Sequence, residues 1–363
     1  MIDRRTLLGS GAAAALPIKT SALGTTRPYR RIATEEAFAI PEWFNAMAAL
    51  PAASLDIQEA RMLAGLHAIP PIHQGLVDFD HRLKIMDNTG VDVHLLSLTT
   101  PGVQSLDPAL AITMARQTND YLAGIIKKYP GRFAGLAAVS PQDVPAAVTE
   151  VDRALGELKL NGVLINSYTN GAYLDEPQFD PLLAAIARHG VPLYLHPRIP
   201  APAMVQPYLA QGLTNAIWGF AADTGLHAMR MIMGGVFDRH PDLSVVLGHM
   251  GEAIPYWFWR IDNMFVKARS SPNAATYPAR NLKKMPSQYF RENFYITTSG
   301  VNSHANLKFA LEVVGVDRIM FAIDYPFESS AESVAFLDSA PISQTERKKI
   351  AFRNAERVFR LPA

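Results

Sequence analysis

The stretch Val191-Pro-Leu-Tyr-Leu-His-Pro-Arg198 combines a short apolar run with a histidine that follows it at once. Leu193 to Leu195 has the length and composition of a buried strand, and His196 lies where that strand should end. A single histidine after a strand indicates little, but the pattern recurs. Three further apolar runs end in a titratable residue, and these residues are Glu35, His249 and Asp324. Polar residues at the carboxyl ends of several buried strands are typical of the active site of a (β/α)8 barrel.

Eight apolar runs lie between helical patterns along the chain, and the runs are continuous stretches rather than a strict alternation of apolar and polar residues. The predicted strands are 31–34, 93–98, 133–139, 162–165, 193–195, 244–248, 295–298 and 319–323. The predicted helices are 78–88, 108–128, 144–158, 179–189, 224–237, 253–266, 304–314 and 343–359. Continuous apolar strands indicate a parallel sheet that is covered on both faces.

This order of elements predicts an α/β fold, a (β/α)8 TIM barrel. Residues 41–80 are irregular and contain Pro51, Pro70 and Pro71, so we interpret them as inserted loops and short helices over the C-terminal face. An open, doubly wound sheet is the alternative fold. No Gly-x-Gly-x-x-Gly motif follows the first predicted strand, and this favours the barrel.

The composition argues against several classes of function. The chain has 363 residues, 49% hydrophobic and 18% charged, which fits one barrel-sized domain better than two small ones. It has no cysteine, which excludes disulfides, thiolate metal sites and a cysteine nucleophile. The formal net charge is +1 and no basic cluster is interleaved with aromatics, so no nucleic-acid partner is expected. No uncharged apolar run reaches about 18 residues, so no membrane span is expected.

Residues 1–24 differ from the rest of the chain. Asp3-Arg-Arg-Thr-Leu-Leu8 precedes a mildly apolar stretch, Gly9 to Leu16, and small residues at Thr20-Ser-Ala22. A charged start, a short apolar region and a small-residue exit predict a secretory signal, and the paired arginines resemble a twin-arginine export signal. We therefore expect residues 25–363 to form a single domain that is located in the periplasm. The alternatives are a disordered or helical N-terminal arm and a cytoplasmic enzyme.

Glu35, His196, His249 and Asp324 would end strands one, five, six and eight of the barrel, so their side chains should converge near its axis. Carboxylates combined with imidazole form a hard to borderline site for a divalent cation, with positions left open for water or substrate. Each residue alone is more simply explained as a turn or a solvated side chain. Four such residues at four strand ends are difficult to obtain by chance, so we predict a metal-dependent active site.

Five motifs resemble those of a known family. They are Ile32-Ala-Thr-Glu-Glu-Ala-Phe-Ala39, Asn161-Gly-Val-Leu-Ile-Asn-Ser167, Tyr194-Leu-His-Pro197, Leu247-Gly-His-Met-Gly-Glu252 and Ala322-Ile-Asp-Tyr-Pro326. In this order and spacing they resemble the decarboxylase branch of the amidohydrolase superfamily, which includes 5-carboxyvanillate, γ-resorcylate and 2,3-dihydroxybenzoate decarboxylases. The resemblance extends from about Arg31 to Leu361. Two further segments are most similar to the 5-carboxyvanillate type, namely Ser97-Leu-Thr-Thr-Pro-Gly-Val-Gln104 and Gly251-Glu-Ala-Ile-Pro-Tyr-Trp257.

The resemblance implies an amidohydrolase-type barrel in which Glu35, His196 and Asp324 bind one divalent metal ion. The expected ion is Mn²⁺, with Zn²⁺ as the alternative. Many members of the superfamily carry a ligand histidine two residues after the first ligand, and Ala37 stands at that position here. Enzymes of the 5-carboxyvanillate type have the same alanine, so three protein ligands and water are expected to complete the site.

The resemblance also implies roles for residues around the metal. His249 and Glu252 correspond to a pair in which the carboxylate orients the imidazole, and Asp324 is expected to deliver a proton. Arg260 corresponds to an arginine directed at the substrate carboxylate. Phe327 stands where the 5-carboxyvanillate type has a tyrosine, so one phenol hydroxyl near the metal is missing.

The reaction implied by the resemblance is non-oxidative decarboxylation of a small aromatic carboxylic acid with an ortho hydroxyl group. Direct loss of CO₂ would leave an aryl anion of high energy, so protonation of the ring carbon should come first. A metal-dependent hydrolase, a lactonase or an amidase, is the alternative on the same scaffold, and a metal-free exported binding protein is a third possibility. A homodimer or homotetramer is implied as well. The segment Asp223-Thr-Gly-Leu-His227 is expected to be structural.

Overall fold

The computed structural model describes residues 29–50, 59, 65 and 68–362. Within these ranges the chain forms eight parallel strands that pair in sequence order. They are β1 Ile32–Phe38, β2 Val93–Leu98, β3 Phe133–Ala138, β4 Gly162–Asn166, β5 Leu193–His196, β6 Val245–Leu247, β7 Phe294–Thr297 and β8 Ile319–Met320. The predicted signal peptide, residues 1–24, lies outside the described residues.

The sheet closes on itself because β1 contacts the chain that leaves β8. The backbone N–H of Thr34 donates to the carbonyl of Phe321 over 3.1 Å, and Glu36 forms a parallel bridge with Tyr325. β1 therefore pairs with β2 on one side and with residues 321–325 on the other. The predicted (β/α)8 TIM barrel is confirmed, and the open sheet is wrong.

Helices alternate with the strands, as the apolar periodicity predicts. The α-helices are Pro41–Ala48, Pro70–Val77, Phe79–Thr89, Pro108–Lys128, Val144–Gly156, Asp180–His189, Gln206–Leu209, Gly219–Met233, Val236–Arg239, His249–Glu252, Phe258–Arg269, Pro286–Asn293, His304–Val313, Ser330–Ser339, Gln344–Lys348 and Asn354–Val358. Short 3₁₀ segments include Pro177–Phe179 and Ile254–Trp257, and Lys349–Arg353 is a π-helix. Among the residues that the structure describes, no helix is long and apolar enough to cross a bilayer.

Local sequence signals set several helix ends. Asp107 caps the helix Pro108–Lys128 by accepting the N–H groups of Ala109 and Leu110, and Pro108 occupies the first turn, where no N–H is needed. The predicted helix 224–237 is instead two helices, Gly219–Met233 and Val236–Arg239. Gly235 adopts a left-handed conformation between them, with φ of 71°.

The first strand is longer than predicted. We expected it to end before Glu35, because charged residues usually leave a buried strand, but β1 continues through Glu35 and Glu36 to Phe38. Both glutamates are buried, and their carboxylates are paired with groups from β5, β7 and the turn after β8. Partners more than 150 residues away therefore determine this boundary.

Away from the carboxyl ends of the strands, the barrel interior is apolar. Residues at alternating positions of the strands form one buried cluster that includes Ile32, Leu95, Leu136 and Val246, and Phe359 of the C-terminal segment belongs to the same cluster. A second, larger cluster fills the space between the strands and the surrounding helices. Polar chemistry inside the barrel is therefore concentrated at the carboxyl ends of the strands.

Candidate metal centre

Four of the residues singled out in the sequence lie together at the carboxyl ends of the strands: Glu35, His196, His249 and Asp324. His196 Nε2 is 3.7 Å from Glu35 Oε1, and His249 Nε2 is 3.9 Å from the same oxygen. Asp324 Oδ2 lies 3.7 Å from His249 Nε2. Among the residues that the structure describes, Glu35, His196 and Asp324 offer ligand atoms within 4.8 Å of one another, so they could hold a metal ion.

The two carboxylate oxygens of Glu35 have different environments. Oε2 accepts hydrogen bonds from the hydroxyls of Tyr194, at 2.5 Å, and Thr297, at 2.9 Å, and from the hydroxyl of Ser299. Oε1 is buried and has no hydrogen-bond partner within the described part of the chain. A buried anionic oxygen without a partner is costly, and a cation held by Oε1 together with His196 and Asp324 would satisfy it. The residues present therefore fit a bound metal.

Glu35 is held in its ionised form. Its burial opposes ionisation, but the neighbouring imidazoles of His249 and His196 and the hydroxyl donors outweigh that effect and lower the pKa of the carboxyl group. A metal ligand must be deprotonated, so this environment prepares Glu35 for a cation.

Gly248 explains how the chain after β6 approaches this carboxylate so closely. A Cβ atom at this position would lie 2.7 Å from Glu35 Oε1 and 2.8 Å from Oε2. Any side chain would therefore displace the carboxylate. The glycine before His249 is required by the site and not by its own backbone conformation, since φ is −67°.

His249 is oriented by its partner and by its backbone. Its Nδ1 is 2.8 Å from Glu252 Oε1, which leaves Nε2 directed at Glu35 and Asp324. Burial would lower the pKa of His249, but Glu252, Glu35 and Asp324 together raise it well above its usual value. His249 (φ 51°), Glu252 (φ 52°) and Asp324 (φ 78°) all have left-handed backbones, which cost about 1 kcal/mol each in non-glycine residues.

The two remaining predicted residues are Phe327 and Arg260. Phe327 follows the Asp324 turn and donates its N–H to the Asp324 carbonyl over 2.9 Å, with a partly exposed ring. Arg260 lies on the exposed side of the helix Phe258–Arg269, and no hydrogen bond or ion pair joins it to another of the described residues. Among the described residues, Arg260 therefore makes no polar contact with Glu35, His196, His249 or Asp324.

The three hydroxyl residues around Glu35 were not identified as site residues in the sequence. Tyr194 lies two positions before His196 in β5, so both side chains are on the same face of the strand. Thr297 and Ser299 have the same spacing at the end of β7. This period of two was the available signal, and hydroxyls at strand ends are too common for it to be specific.

The segment Asp223–His227 forms a separate buried cluster with Ser167 and Tyr173. Asp223 accepts the hydroxyls of Ser167, at 2.5 Å, and Tyr173, at 2.8 Å. The N–H of Leu174 donates to His227 Nε2 over 2.9 Å, which assigns the proton to Nδ1, facing the Ser167 hydroxyl at 3.3 Å. A histidine in this tautomer cannot accept the serine proton, so the cluster is structural rather than a nucleophilic triad.

Comparison with known proteins identifies the class. The amidohydrolase family model matches residues 72–361, and this chain belongs to that family. γ-Resorcylate decarboxylase of Rhodococcus jostii is 39% identical over 344 residues, covering 91% of this chain and 98% of the relative. The crystal structure of 5-carboxyvanillate decarboxylase from Sphingomonas paucimobilis superposes with a TM-score of 0.86 at 43% identity, covering 92% of this chain and 99% of that one.

A third relative bears on the metal. The 5-carboxyvanillate decarboxylase of Novosphingobium aromaticivorans was solved with manganese and 4-hydroxy-3-methoxy-5-nitrobenzoic acid. It is 39% identical, with a TM-score of 0.87, and the match covers 92% of this chain and 97% of that one. The predicted family and the predicted class, a metal-dependent aryl carboxylate decarboxylase and hence a carboxy-lyase, are confirmed by these relatives.

Proposed function

We propose that this enzyme removes CO₂, without oxidation, from a small aromatic carboxylic acid that carries a hydroxyl group ortho to the carboxylate. The observation that carries the proposal is the convergence of Glu35, His196, His249 and Asp324 around an otherwise unsatisfied carboxylate oxygen, Glu35 Oε1. His196 and His249 lie 3.7 and 3.9 Å from this oxygen, and Asp324 lies 3.7 Å from His249. Relatives that act on 5-carboxyvanillate and γ-resorcylate support the substrate class.

The proposed cofactor is one divalent ion held by Glu35, His196 and Asp324. Two carboxylates and one imidazole suit Mn²⁺, and Zn²⁺ is the alternative. The bound ion would supply positive charge that favours the ionised forms of the substrate's phenol and carboxylate groups. The manganese found in the Novosphingobium relative supports this assignment.

Asp324 is the proposed acid. As both ligand and acid, it would take up a proton when the substrate binds and then give that proton to the ring carbon that bears the carboxylate, so that this carbon becomes tetrahedral. The bond to the carboxylate carbon then breaks, its electrons return to the ring, and neutral CO₂ leaves. One proton replaces one carboxylate, and no oxidant is consumed. His249, oriented by Glu252, would stabilise negative charge on the substrate and return a proton to Asp324.

Phe327 and Arg260 are proposed substrate contacts. Phe327 is partly exposed beside the Asp324 turn, where an aromatic ring could pack against the substrate. The guanidinium of Arg260 is exposed and unpaired among the described residues, so it is free to bind a carboxylate in a bidentate manner. If Arg260 binds the substrate, Arg260→Ala raises KM more than it lowers kcat. An unchanged KM would contradict the role.

The test of the reaction is CO₂ release from a panel of hydroxybenzoates after reconstitution with Mn²⁺ or Zn²⁺. The panel includes 5-carboxyvanillate, 2,6-dihydroxybenzoate, 2,3-dihydroxybenzoate and benzoate, the last as a control that lacks the ortho hydroxyl. We expect turnover of at least one ortho-hydroxylated acid, faster with Mn²⁺, and none of benzoate. Turnover of lactones or amides with no CO₂ from any arene would overturn the proposal in favour of a hydrolase. A protein that binds no metal under these conditions would contradict both.

We also propose that the enzyme is a homodimer or homotetramer. Tyr256, Trp257 and Trp259 are exposed next to one another, and the ring of Phe309 lies 5.8 Å from that of Tyr256. Exposed aromatic groups of this size are typical of subunit interfaces. Light scattering of the wild type and of Trp259→Glu tests the interface, because the variant should shift toward monomer.

We further propose export to the periplasm through a twin-arginine signal in residues 1–24. The support is the sequence pattern of paired arginines, apolar stretch and small residues. Mass spectrometry of the N-terminus from periplasmic and cytoplasmic fractions tests it. A full-length N-terminus that is found only in the cytoplasm would contradict export.

A further inference from the structure

Glu36 follows the ligand Glu35 in β1, but its side chain lies on the opposite face of the strand. It is fully buried. Its Oε1 accepts the backbone N–H of Ile323 over 3.0 Å, and its Oε2 accepts the backbone N–H of Tyr325 over 3.1 Å. These two N–H groups belong to the residues on either side of Asp324. One carboxylate therefore bridges the two peptides that flank the proposed ligand and acid.

The backbone of β1 completes this connection. The N–H of Asp324 donates to the carbonyl of Glu35 over 3.1 Å, and the N–H of Ala37 donates to the carbonyl of Tyr325 over 2.8 Å. Regular strand β8 ends at Met320, and among the described residues the N–H groups of Ile323 and Tyr325 have no acceptor in a backbone ladder. The Glu36 side chain supplies two of the acceptors that such a ladder would provide.

The turn needs this restraint because its backbone is unfavourable. Asp324 has φ of 78°, a left-handed conformation that residues with a side chain adopt only when the surroundings impose it. Without an acceptor, the buried N–H groups of Ile323 and Tyr325 would seek other partners, and the turn would rearrange. The position of the Asp324 carboxylate thus depends on a group on the other face of the sheet.

A buried arginine stabilises the same turn from outside the barrel. The Arg82 guanidinium stacks over the Tyr325 ring at 4.5 Å and donates to the carbonyl of Gly75 over 2.7 Å and to that of Ala37. Burial raises the pKa of Glu36 to about 8, although Arg82 and the two backbone donors act in the opposite direction. The carboxyl group offers two oxygen atoms in either protonation state, whereas glutamine offers one.

We propose that Glu36 is a positioning residue that holds the Asp324 turn and so directs the Asp324 carboxylate toward the metal centre. The inference rests on the proposed role of Asp324. It concerns the geometry of the turn, and it predicts that Glu36 affects metal binding only through Asp324.

The test is Mn²⁺ affinity, measured by calorimetry and by electron paramagnetic resonance on the purified full chain without substrate. Glu36→Gln replaces one acceptor oxygen with an amide that opposes a backbone N–H. We expect it to weaken Mn²⁺ binding about 10-fold or more and to change the spectrum of the bound ion. With saturating Mn²⁺, kcat should fall about 10-fold while KM changes little.

Glu150→Gln is the matched control. Glu150 is also a buried glutamate, but it accepts from Asn119 and pairs with Arg153 in the outer helices. Its substitution should lower the melting temperature and leave both Mn²⁺ affinity and kcat unchanged. If Glu36→Gln behaves like Glu150→Gln, the inference is overturned.

A double-mutant cycle tests the route of the effect. In the Asp324→Asn background, Glu36→Gln should weaken Mn²⁺ binding no further, because the residue it positions is already lost. An additive effect would overturn the inference. If Glu36→Gln does not yield folded protein, Glu36→Asp replaces it, since one methylene fewer withdraws both oxygens. If the wild type binds Mn²⁺ but decarboxylates no substrate, the proposed reaction is overturned. The Mn²⁺ affinities of the variants still test the role of Glu36 in that case.

Discussion

Two clusters of polar side chains in this molecule contain the same four residue types, and we expect them to perform different tasks. The metal centre includes Asp324, His249, Tyr194 and Ser299, and the second cluster consists of Asp223, His227, Tyr173 and Ser167. Either set would attract notice in a search for catalytic residues. They differ in how completely their polar atoms are satisfied.

In the second cluster all four of these side chains have hydrogen-bond partners. Both oxygens of Asp223 accept donors, and both nitrogens of His227 have partners. At the metal centre, Glu35 Oε1 and Glu252 Oε2 are buried without a partner among the described residues. Left-handed backbone does not separate the clusters, because Ser167 also has a positive φ, of 42°. Between the two clusters, buried carboxylate oxygens without a partner therefore mark the metal centre, whereas the other buried atoms without a partner, such as Thr224 Oγ1 and His94 Nε2, belong to neutral groups or to arginine.

The largest expected difference lies between the two aspartates. Asp324→Asn should lower kcat by about 10³-fold or more, since it removes both a proposed ligand and the proposed acid. Asp223→Asn should leave kcat within about threefold of the wild type, but it leaves one hydrogen-bond donor without an acceptor and costs about 1–3 kcal/mol of stability. Initial rates of CO₂ release and urea unfolding measure the two effects. Retained activity in Asp324→Asn would remove its role as acid.

Much of the fold could be predicted from local features of the sequence. Pro108, at the start of a helix, and Gly90 and Gly190, each with a left-handed backbone after one, are local signals, and the predicted helices 78–88, 108–128 and 179–189 agree with the structure to within one residue at each end. The eight strands were found because each is a continuous apolar run. Prediction failed in β1, where the burial of Glu35 depends on residues far along the chain.

Glu35, His196, His249 and Asp324 were singled out because four strand ends repeated one pattern, and the structure places their side chains close together. Their separation into ligand and supporting groups could not be read from the same pattern. Tyr194 contacts Glu35 inside the barrel, and Glu36 contacts Ile323 on the opposite face of β1. Both contacts join residues that are more than 150 positions apart in the sequence. A fold is needed before such partners can be assigned.

The second-largest difference in kcat is expected between variants of the two histidines, His249 and His227. His249→Gln should lower kcat about 10²-fold or more, because the variant keeps polarity but cannot carry a positive charge or exchange a proton. His227→Gln should keep its activity, since its imidazole is neutral and bound to a backbone N–H and a hydroxyl. The readout is kcat at saturating Mn²⁺ for both variants. Equal losses in the two variants would show that the distinction between the clusters is wrong.

The tyrosines give a smaller contrast, visible in metal binding. Tyr194→Phe removes one of three donors to Glu35 Oε2, and we expect Mn²⁺ affinity to fall about 10-fold, as is usual for a group that orients a ligand. Tyr173→Phe removes a donor to Asp223 and should lower only the melting temperature. Calorimetric titration with Mn²⁺ measures the difference. An unchanged affinity in Tyr194→Phe would mean that Thr297 and Ser299 alone orient the carboxylate.

The smallest expected effect is the pH dependence contributed by His227. Burial lowers the pKa of His227 to about 3, whereas an unfolded histidine titrates near 6.5. Below pH ~6.5 the unfolded chain binds a proton at His227 and the folded chain does not. His227 therefore does not lower the free energy of unfolding above that pH, but it lowers it progressively as the pH falls from ~6.5 toward about 3. The free energy of unfolding of the wild type should therefore decline more steeply between pH 6 and 4 than that of His227→Gln, by up to about 1.4 kcal/mol per pH unit. Urea unfolding at a fixed Mn²⁺ concentration measures both slopes, and contributions from the metal centre cancel in their difference. Parallel slopes would mean that His227 takes up a proton without unfolding, and the second cluster would then be less firmly closed than its hydrogen bonds indicate.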